Sequence, residues 1–300
     1  MYKKNDGNRN LLLYLHDSKY GSLTNNIRMK QLLILAAALV LAVSCSQKKA
    51  PKVLVLYYSQ TNTTKVVAED IANALGADLE AILPVVPYEG DIPAVAARCA
   101  KDAAEGKLPE LKPFTVDVNA YDIIFLGYPI WMGTYAPPVA AALEAVNLDG
   151  KKVVPFCTFG SGGLDSSTKD LQAKLPNAEI LPGYGVRAAR IDAAKAEVDY
   201  FLKANGFLAG EVAPLPAFSE PQPADEAAAA IFDAAVGSYP MIHAQATEVA
   251  SRTVPCGTEY LFTAKDLPMG PAAEDAPDHF IKVYVLAEEG KDPVFTQVLR

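Results

Sequence analysis

Between residues 52 and 207 the hydrophobic positions follow two alternating rhythms. Val53-Leu54-Val55-Leu56-Tyr57 is a continuous apolar run of the kind carried by a strand buried on both faces. From Thr63 to Leu75 the apolar residues fall instead at Val66, Val67, Ile71 and Leu75, a helical spacing closed by Gly76. The same reading predicts a strand over Leu79 to Val86 ended by Pro87, a helix over Pro93 to Glu105, and an irregular connection from Lys107 to Phe114. Further strands are predicted over Tyr121 to Tyr128, Lys152 to Thr158 and Glu179 to Tyr184. Helices are predicted over Pro137 to Val146, where proline near the start costs no hydrogen bond, and over Ser166 to Leu175 and Ala193 to Asn205. Strands and helices in alternation call for an α/β fold, a doubly wound five-stranded parallel sheet covered on both faces. Ligands of such sheets sit beyond the carboxyl ends of the strands, at the switch in strand order.

The pattern then changes. Pro214, Pro216, Pro221 and Pro223 mark residues 208–223 as a linker. Ala224 to Val236 reads as an acidic-capped, alanine-rich helix, and Thr247 to Val254, Thr258 to Ala264, Phe280 to Ala287 and Val294 to Leu299 read as strands. Gly257 breaks the first pair, and Gly270 to Asp278 makes a longer turn. One helix followed by antiparallel strands predicts a small α+β domain over residues 224–300.

The amino terminus reads as an address. Met29-Lys30-Gln31 is a short charged start, followed by the apolar run Leu32 to Val43, which is short of the roughly 20 residues of a spanning helix. Leu41-Ala42-Val43-Ser44-Cys45 resembles a bacterial lipoprotein signal, which makes Cys45 the lipidated residue, residues 29–44 the signal peptide and residues 45–51 a tether. The alternative is an ordinary signal peptide with a chance cysteine. The lipoprotein reading places the protein in the bacterial cell envelope, lipid-anchored on its periplasmic or surface face, and Met29 reads as a better start than Met1, with residues 1–28 a start-site overcall. A lipid at Cys45 would hold the molecule at the membrane surface.

Charge sharpens this picture. The net charge of −8 hides a basic segment, residues 1–44, with six basic and two acidic side chains; the remainder carries 21 basic and 33 acidic residues, a net −12. So acidic a body argues against nucleic acid as a partner. Cys45, Cys99, Cys157 and Cys256 show neither C-x-x-C spacing nor a neighbouring histidine cluster, which argues against a metal site. No histidine lies between residues 50 and 207, so histidine acid–base chemistry is excluded there. Cys157 reads as a buried strand thiol.

Three loops carry the candidate chemistry. The first, Tyr58-Ser59-Gln60-Thr61-Asn62-Thr63-Thr64, offers hydroxyls and free N–H groups at a helix start. It reads either as a phosphate cradle or as a plain Ser/Thr-rich cap, and it is neither a Walker A loop nor G-x-G-x-x-G. The second, Gly127-Tyr128-Pro129-Ile130-Trp131-Met132-Gly133-Thr134, holds the only tryptophan, placed to stack on a flat ring or to cover a core edge. The third, Thr158-Phe159-Gly160-Ser161-Gly162-Gly163, has glycines that let a backbone approach a ligand closely, a feature also common in ordinary loops. Each follows a different predicted strand, and together a phosphate cradle, an aromatic stacker and a backbone-lined edge describe a site for flavin mononucleotide (FMN).

On these motifs residues 52–207 resemble the flavodoxin family, and most closely its bacterial branch with a Tyr-Pro-Ile-Trp signature. The resemblance implies that Ser59, Thr61, Asn62, Thr63 and Thr64 bind the FMN phosphate, that Pro129, Ile130 and Trp131 flank the isoalloxazine, and that Thr158, Phe159, Gly160, Ser161 and Gly162 contact its polar edge. Asn62 stands where that family commonly has glycine, a place where asparagine tolerates left-handed backbone. Met132 stands where a second tryptophan often follows the first, a change that bears on flavin binding and redox potential. The function implied is electron transfer, or reduction of a quinone-like acceptor, with a redox partner protein or that small acceptor as partner. The alternative is a flavin-free surface binding or scaffold lipoprotein that keeps the fold. The second domain resembles cystatin-like domains through Thr253-Val254-Pro255-Cys256-Gly257-Thr258-Glu259-Tyr260. Thr253 replaces that family's glutamine there and Pro255 stiffens the turn, so a packing or partner-binding module is preferred over protease inhibition.

Overall fold

The structure, a computed structural model, describes residues 50–237, 239–267 and 277–300. The expected signal peptide, Cys45 and the start-site question lie outside the described residues, as does most of the turn expected over Gly270 to Asp278.

The first sheet is built from β1 (Val53–Tyr57), β2 (Asp78–Ala81), β3 (Ile123–Trp131), β4 (Thr134–Tyr135), β5 (Lys152–Phe159), β6 (Glu179–Ile180) and β7 (Tyr184–Arg187). The strand order is β2-β1-β3-β5, with β6 and β7 both lying beside β5, all parallel. Only β4, which folds back antiparallel on β3, departs from that sense. Helices α1 (Thr63–Leu75), α2 (Ile92–Ala104), α3 (Pro137–Ala145), α4 (Leu164–Lys174) and α5 (Ala194–Ala204) make the crossovers. This is the doubly wound α/β arrangement that the alternation predicts, and it agrees with the flavodoxin-like fold that the resemblance implies.

The continuous apolar runs are explained by two cores. Successive strand residues point to opposite faces. Leu54, Leu56, Ile124, Leu126, Tyr128, Val153 and Cys157 therefore pack beneath Val139 and Ala142 of α3 and Leu171 of α4. Val55, Tyr57, Phe125, Val154 and Phe156 pack on the other face beneath Val67, Ala68 and Ile71 of α1 and Val198, Phe201 and Leu202 of α5.

Two predicted strands are shorter than the apolar pattern suggests. β2 stops at Ala81, and Pro84 forms an isolated bridge with Leu111 instead of extending the ladder. The fifth strand is split into β6 and β7 around Pro182 and Gly183; a Cβ at Gly183 would lie 2.6 Å from the Pro155 carbonyl oxygen. The helix α2 begins where Asp91 accepts a hydrogen bond from the Ala94 N–H (3.0 Å), with Pro93 in its first turn.

The second sheet is antiparallel, ordered β12 (Val294–Leu299), β11 (Phe280–Glu288), β10 (Gly257–Asp266), β9 (Ala244–Val254) and β8 (Gln222–Pro223). Helix α6 (Glu226–Val236) covers one face, where Phe232, Phe262, Val283, Val285 and Phe295 are buried together. The proline-rich segment is not a loose linker. It lies along β9, with the Ser219 N–H donating to the Ser251 carbonyl (2.8 Å) and the Ala224 N–H to that of Thr247 (3.0 Å). Cys99 and Cys157 are buried free thiols, and Cys256 is an exposed one.

Candidate functional site

The carboxyl ends of β1, β3 and β5 bring the three loops together. The Tyr58 N–H donates to the Gly127 carbonyl (2.9 Å), fixing the first loop to the second strand end. Pro129 lies opposite Thr158 in the β3–β5 ladder. The buried hydroxyls of Thr64 and Thr158 are hydrogen-bonded to each other at 2.8 Å across 94 positions of sequence. Ile130 packs on Gly163, where a Cβ would meet its side chain at 2.7 Å.

The first loop presents unpaired donors. None of the backbone N–H groups from Ser59 to Lys65 donates to another described residue. The Ser59 Oγ is buried and also lacks a partner. Buried polar groups without partners are rare, and an anion at a helix start satisfies several at once. Thr61 and Thr63 join hydroxyls at 3.2 Å, on the exposed side of the turn. Asn62 takes a left-handed backbone, φ 64°, and makes no side-chain cap. Asn62→Gly is therefore expected to keep stability within about 1 kcal/mol, whereas Asn62→Val costs about 1–2 kcal/mol, both read from urea unfolding midpoints.

Trp131 is placed differently from expectation. The second segment is not a loop but a continuation of β3 into a tight hairpin, whose turn residues Met132 (φ 48°) and Gly133 (φ 86°) both adopt positive φ. Met132 is 64% exposed at the tip of this hairpin. Trp131 is held edge-on by Tyr58 (5.6 Å between centroids) and Tyr88 (5.3 Å).

Tyr88 escaped the sequence reading. It follows β2 in a proline–glycine turn, and only its place beside Pro87 and Gly90 at a fourth strand end could have flagged it. The Arg98 guanidinium stacks 3.7 Å above its ring and donates to the carbonyls of Pro87 (2.6 Å) and Val86 (3.2 Å), which fixes the turn. Burial pushes the Tyr88 phenol up to about 12 despite the opposing Arg98 charge. Asp102 lies close enough to favour the neutral phenol, but the buried hydroxyl makes no well-formed hydrogen bond to it.

The third loop is the most altered from expectation. Thr158 and Phe159 are buried, the first with its hydroxyl bonded to that of Thr64 and the second with its ring in the core. The N–H groups of Ser161, Gly162 and Gly163 donate to no described residue. Gly160 and Gly162, however, are closely approached from the second domain. A Cβ at Gly160 would lie 2.7 Å from the Tyr239 hydroxyl, and one at Gly162 would lie 2.3 Å from the Val298 carbonyl oxygen.

A separate concavity of about 580 Å³ lies between α2, α3, α4 and the hairpin, bordered by Cys99, Asp102, Thr134, Tyr135, Asp170 and Lys174. It includes none of the residues nominated from the sequence, and its rim is crossed by the hydrogen bond from Thr134 to Asp170 (2.5 Å).

A flavodoxin family model matches residues 52–200. No curated protein matches the chain. Among solved structures, a candidate flavoprotein from Bacteroides eggerthii is 28% identical over 52% of this chain and 98% of its own, with a TM-score of 0.46. Another from Bacteroides uniformis is 26% identical over 50% of this chain and 99% of its own, with a TM-score of 0.44. A flavoprotein from Lactobacillus acidophilus, solved in complex with FMN, is 23% identical over 51% and 100%, with a TM-score of 0.43. By its family match, its strand order and the three loops gathered at its strand ends, the segment of this chain from residue 52 to residue 200 is a domain of the flavodoxin family.

Proposed function

We propose that this domain binds one FMN at the carboxyl ends of β1, β3 and β5, and that the protein is an exported, lipid-anchored flavoprotein of the bacterial cell envelope. The observation that carries the reading is the row of unpaired N–H groups from Ser59 to Lys65 beside the orphaned Ser59 Oγ. These groups fit a phosphate monoester, which accepts many hydrogen bonds and is favoured at the positive end of α1. Trp131, steadied by Tyr58 and Tyr88, supplies an aromatic wall, and the N–H groups of Ser161 to Gly163 supply donors for the polar edge of a flat ring. The bound flavin would supply one- and two-electron chemistry, while the chain orients it and limits water around it. Electron transfer to a partner protein, or reduction of a quinone-like acceptor, needs no nucleophile from the protein. The anchor rests on Leu41-Ala42-Val43-Ser44-Cys45, with the lipid on the Cys45 thiol.

Purified protein is expected to show flavin absorbance, and apoprotein to take up added FMN in a one-to-one ratio with quenching of its fluorescence. Full fluorescence at saturating protein would replace this reading with that of a flavin-free scaffold. Mass spectrometry of the membrane-extracted protein tests the lipid separately, since a modified Cys45 would be the first residue of the mature chain.

A further inference from the structure

The third loop is gripped from outside the flavodoxin-family domain. The Val298 N–H of β12 donates to the Ser161 carbonyl at 2.7 Å. Arg187, the last residue of β7, donates through Nε to the Gly160 carbonyl (2.9 Å) and through its terminal nitrogen to the Phe295 carbonyl (2.9 Å). The same guanidinium lies 3.4 Å from the Phe295 ring centroid and 5.5 Å from that of Tyr239. One planar cation thus ties the loop to β12 and stacks on two aromatic rings of the second domain, a combination of forked donors and flat face that lysine lacks. Gly160 and Gly162 leave no Cβ in the way of Tyr239 and Val298. These glycines therefore serve the approach of the second domain, not only that of a ligand.

We propose that Arg187 is a positioning residue through which the second domain sets the conformation of the Ser161–Gly163 loop, and thereby the affinity and redox potential of the flavin site. The proposal rests on the FMN reading above. Within the loop the N–H groups are unpaired and two of its three residues are glycine, so its own restraint is at its far end, where the Gly163 carbonyl accepts from the Ser167 N–H of α4 (3.0 Å). Its carbonyls at Gly160 and Ser161 are both taken, by Arg187 and Val298. With those carbonyls fixed, the adjoining N–H groups hold a fixed direction, and a donor aimed at a flavin edge tunes both binding and the charge the flavin can carry. The second domain is then a wall of the site rather than an appendage.

The test uses the full chain with Arg187→Lys, and Phe295→Leu as a second variant that keeps apolar volume but removes the ring beneath the guanidinium. Amide hydrogen exchange on the apoproteins reads the docking without any flavin. Exchange at Val298 is expected to accelerate about tenfold or more while amides of β10 keep wild-type rates. FMN affinity, read by fluorescence quenching, is expected to fall about tenfold, with a displaced midpoint potential in whichever variants load. Wild-type affinity and potential alongside faster Val298 exchange would overturn the proposal, as would unchanged exchange in both variants. Failure of the wild-type protein to take up FMN would overturn the flavin reading itself, a result distinct from either.

Discussion

Phe156→Ala is expected to cost about 3–5 kcal/mol of folding stability, a large share of the roughly 5–15 kcal/mol that holds a domain together. Phe156 is fully buried at the centre of β5, in the core shared with α1 and α5. Its ring covers Gly127, its partner in the β3–β5 ladder, so closely that a Cβ there would lie 2.1 Å from the ring. The ring therefore fills space that no other residue of β3 can fill, and its removal leaves a cavity between strands that cannot collapse. The converse change, Gly127→Ala, forces the ring off its rotamer and is expected to cost about 1–3 kcal/mol. Adding Phe156→Leu to Gly127→Ala should recover part of that loss, giving a favourable coupling in a double-mutant cycle. Urea midpoints at constant slope measure all three. Simple additivity would show that the notch and the ring are not the matched pair described.

Trp131→Ala is expected to weaken FMN binding about tenfold or more, the scale of losing one aromatic platform beneath a flat heteroaromatic ring. The variant also frees Tyr58 and Tyr88, whose rings meet Trp131 edge-on, so the wall loses order as well as area. Trp131→Phe keeps a ring at the strand end and should stay within a fewfold of the wild-type protein. Titration of apoprotein with FMN reads both, and folding stability should change little because Trp131 is only partly buried at the end of β3. Undiminished affinity in the alanine variant would remove the tryptophan from the site.

Much of the first domain was legible because β1, β3 and β5 are buried on both faces, which leaves uninterrupted apolar runs that little else in a soluble chain produces. β2 and the fifth strand were less legible. An apolar stretch says that residues are covered, not that their backbones pair, and prolines at 84, 87 and 182 divert the chain from the ladder while the side chains remain attractive to a core. The hairpin after Trp131 is not legible as one because its Met132-Gly133 turn lacks the usual asparagine or aspartate at its first position. Within the site, Asn62 behaved as its chemistry suggests, adopting the left-handed backbone. The glycines at 160 and 162 were the harder case. Glycine in a loop signals that something comes close, and the sequence carries no mark of whether that is a ligand or the Tyr239 and Val298 positions far along the chain. Tyr88 was missed for a related reason: its partners Arg98 and Trp131 are assembled by tertiary packing, not by spacing.

The sheet orders also bear on how the chain comes together. β1 is an interior strand of its sheet, between β2 and β3, and β3 is supplied from 70 positions further along, as in the Val53–Ile123 pairing. In the second sheet β9 and β10 are joined through the two-residue turn Pro255–Cys256 and pair from Val254–Gly257 outward. Closing a short loop costs little entropy, and non-local parallel pairing is slow. The antiparallel sheet is therefore poised to assemble ahead of the parallel one during refolding. The loop grasped by Arg187 and Val298 would then find its rigid support already formed when β5 finally takes its place.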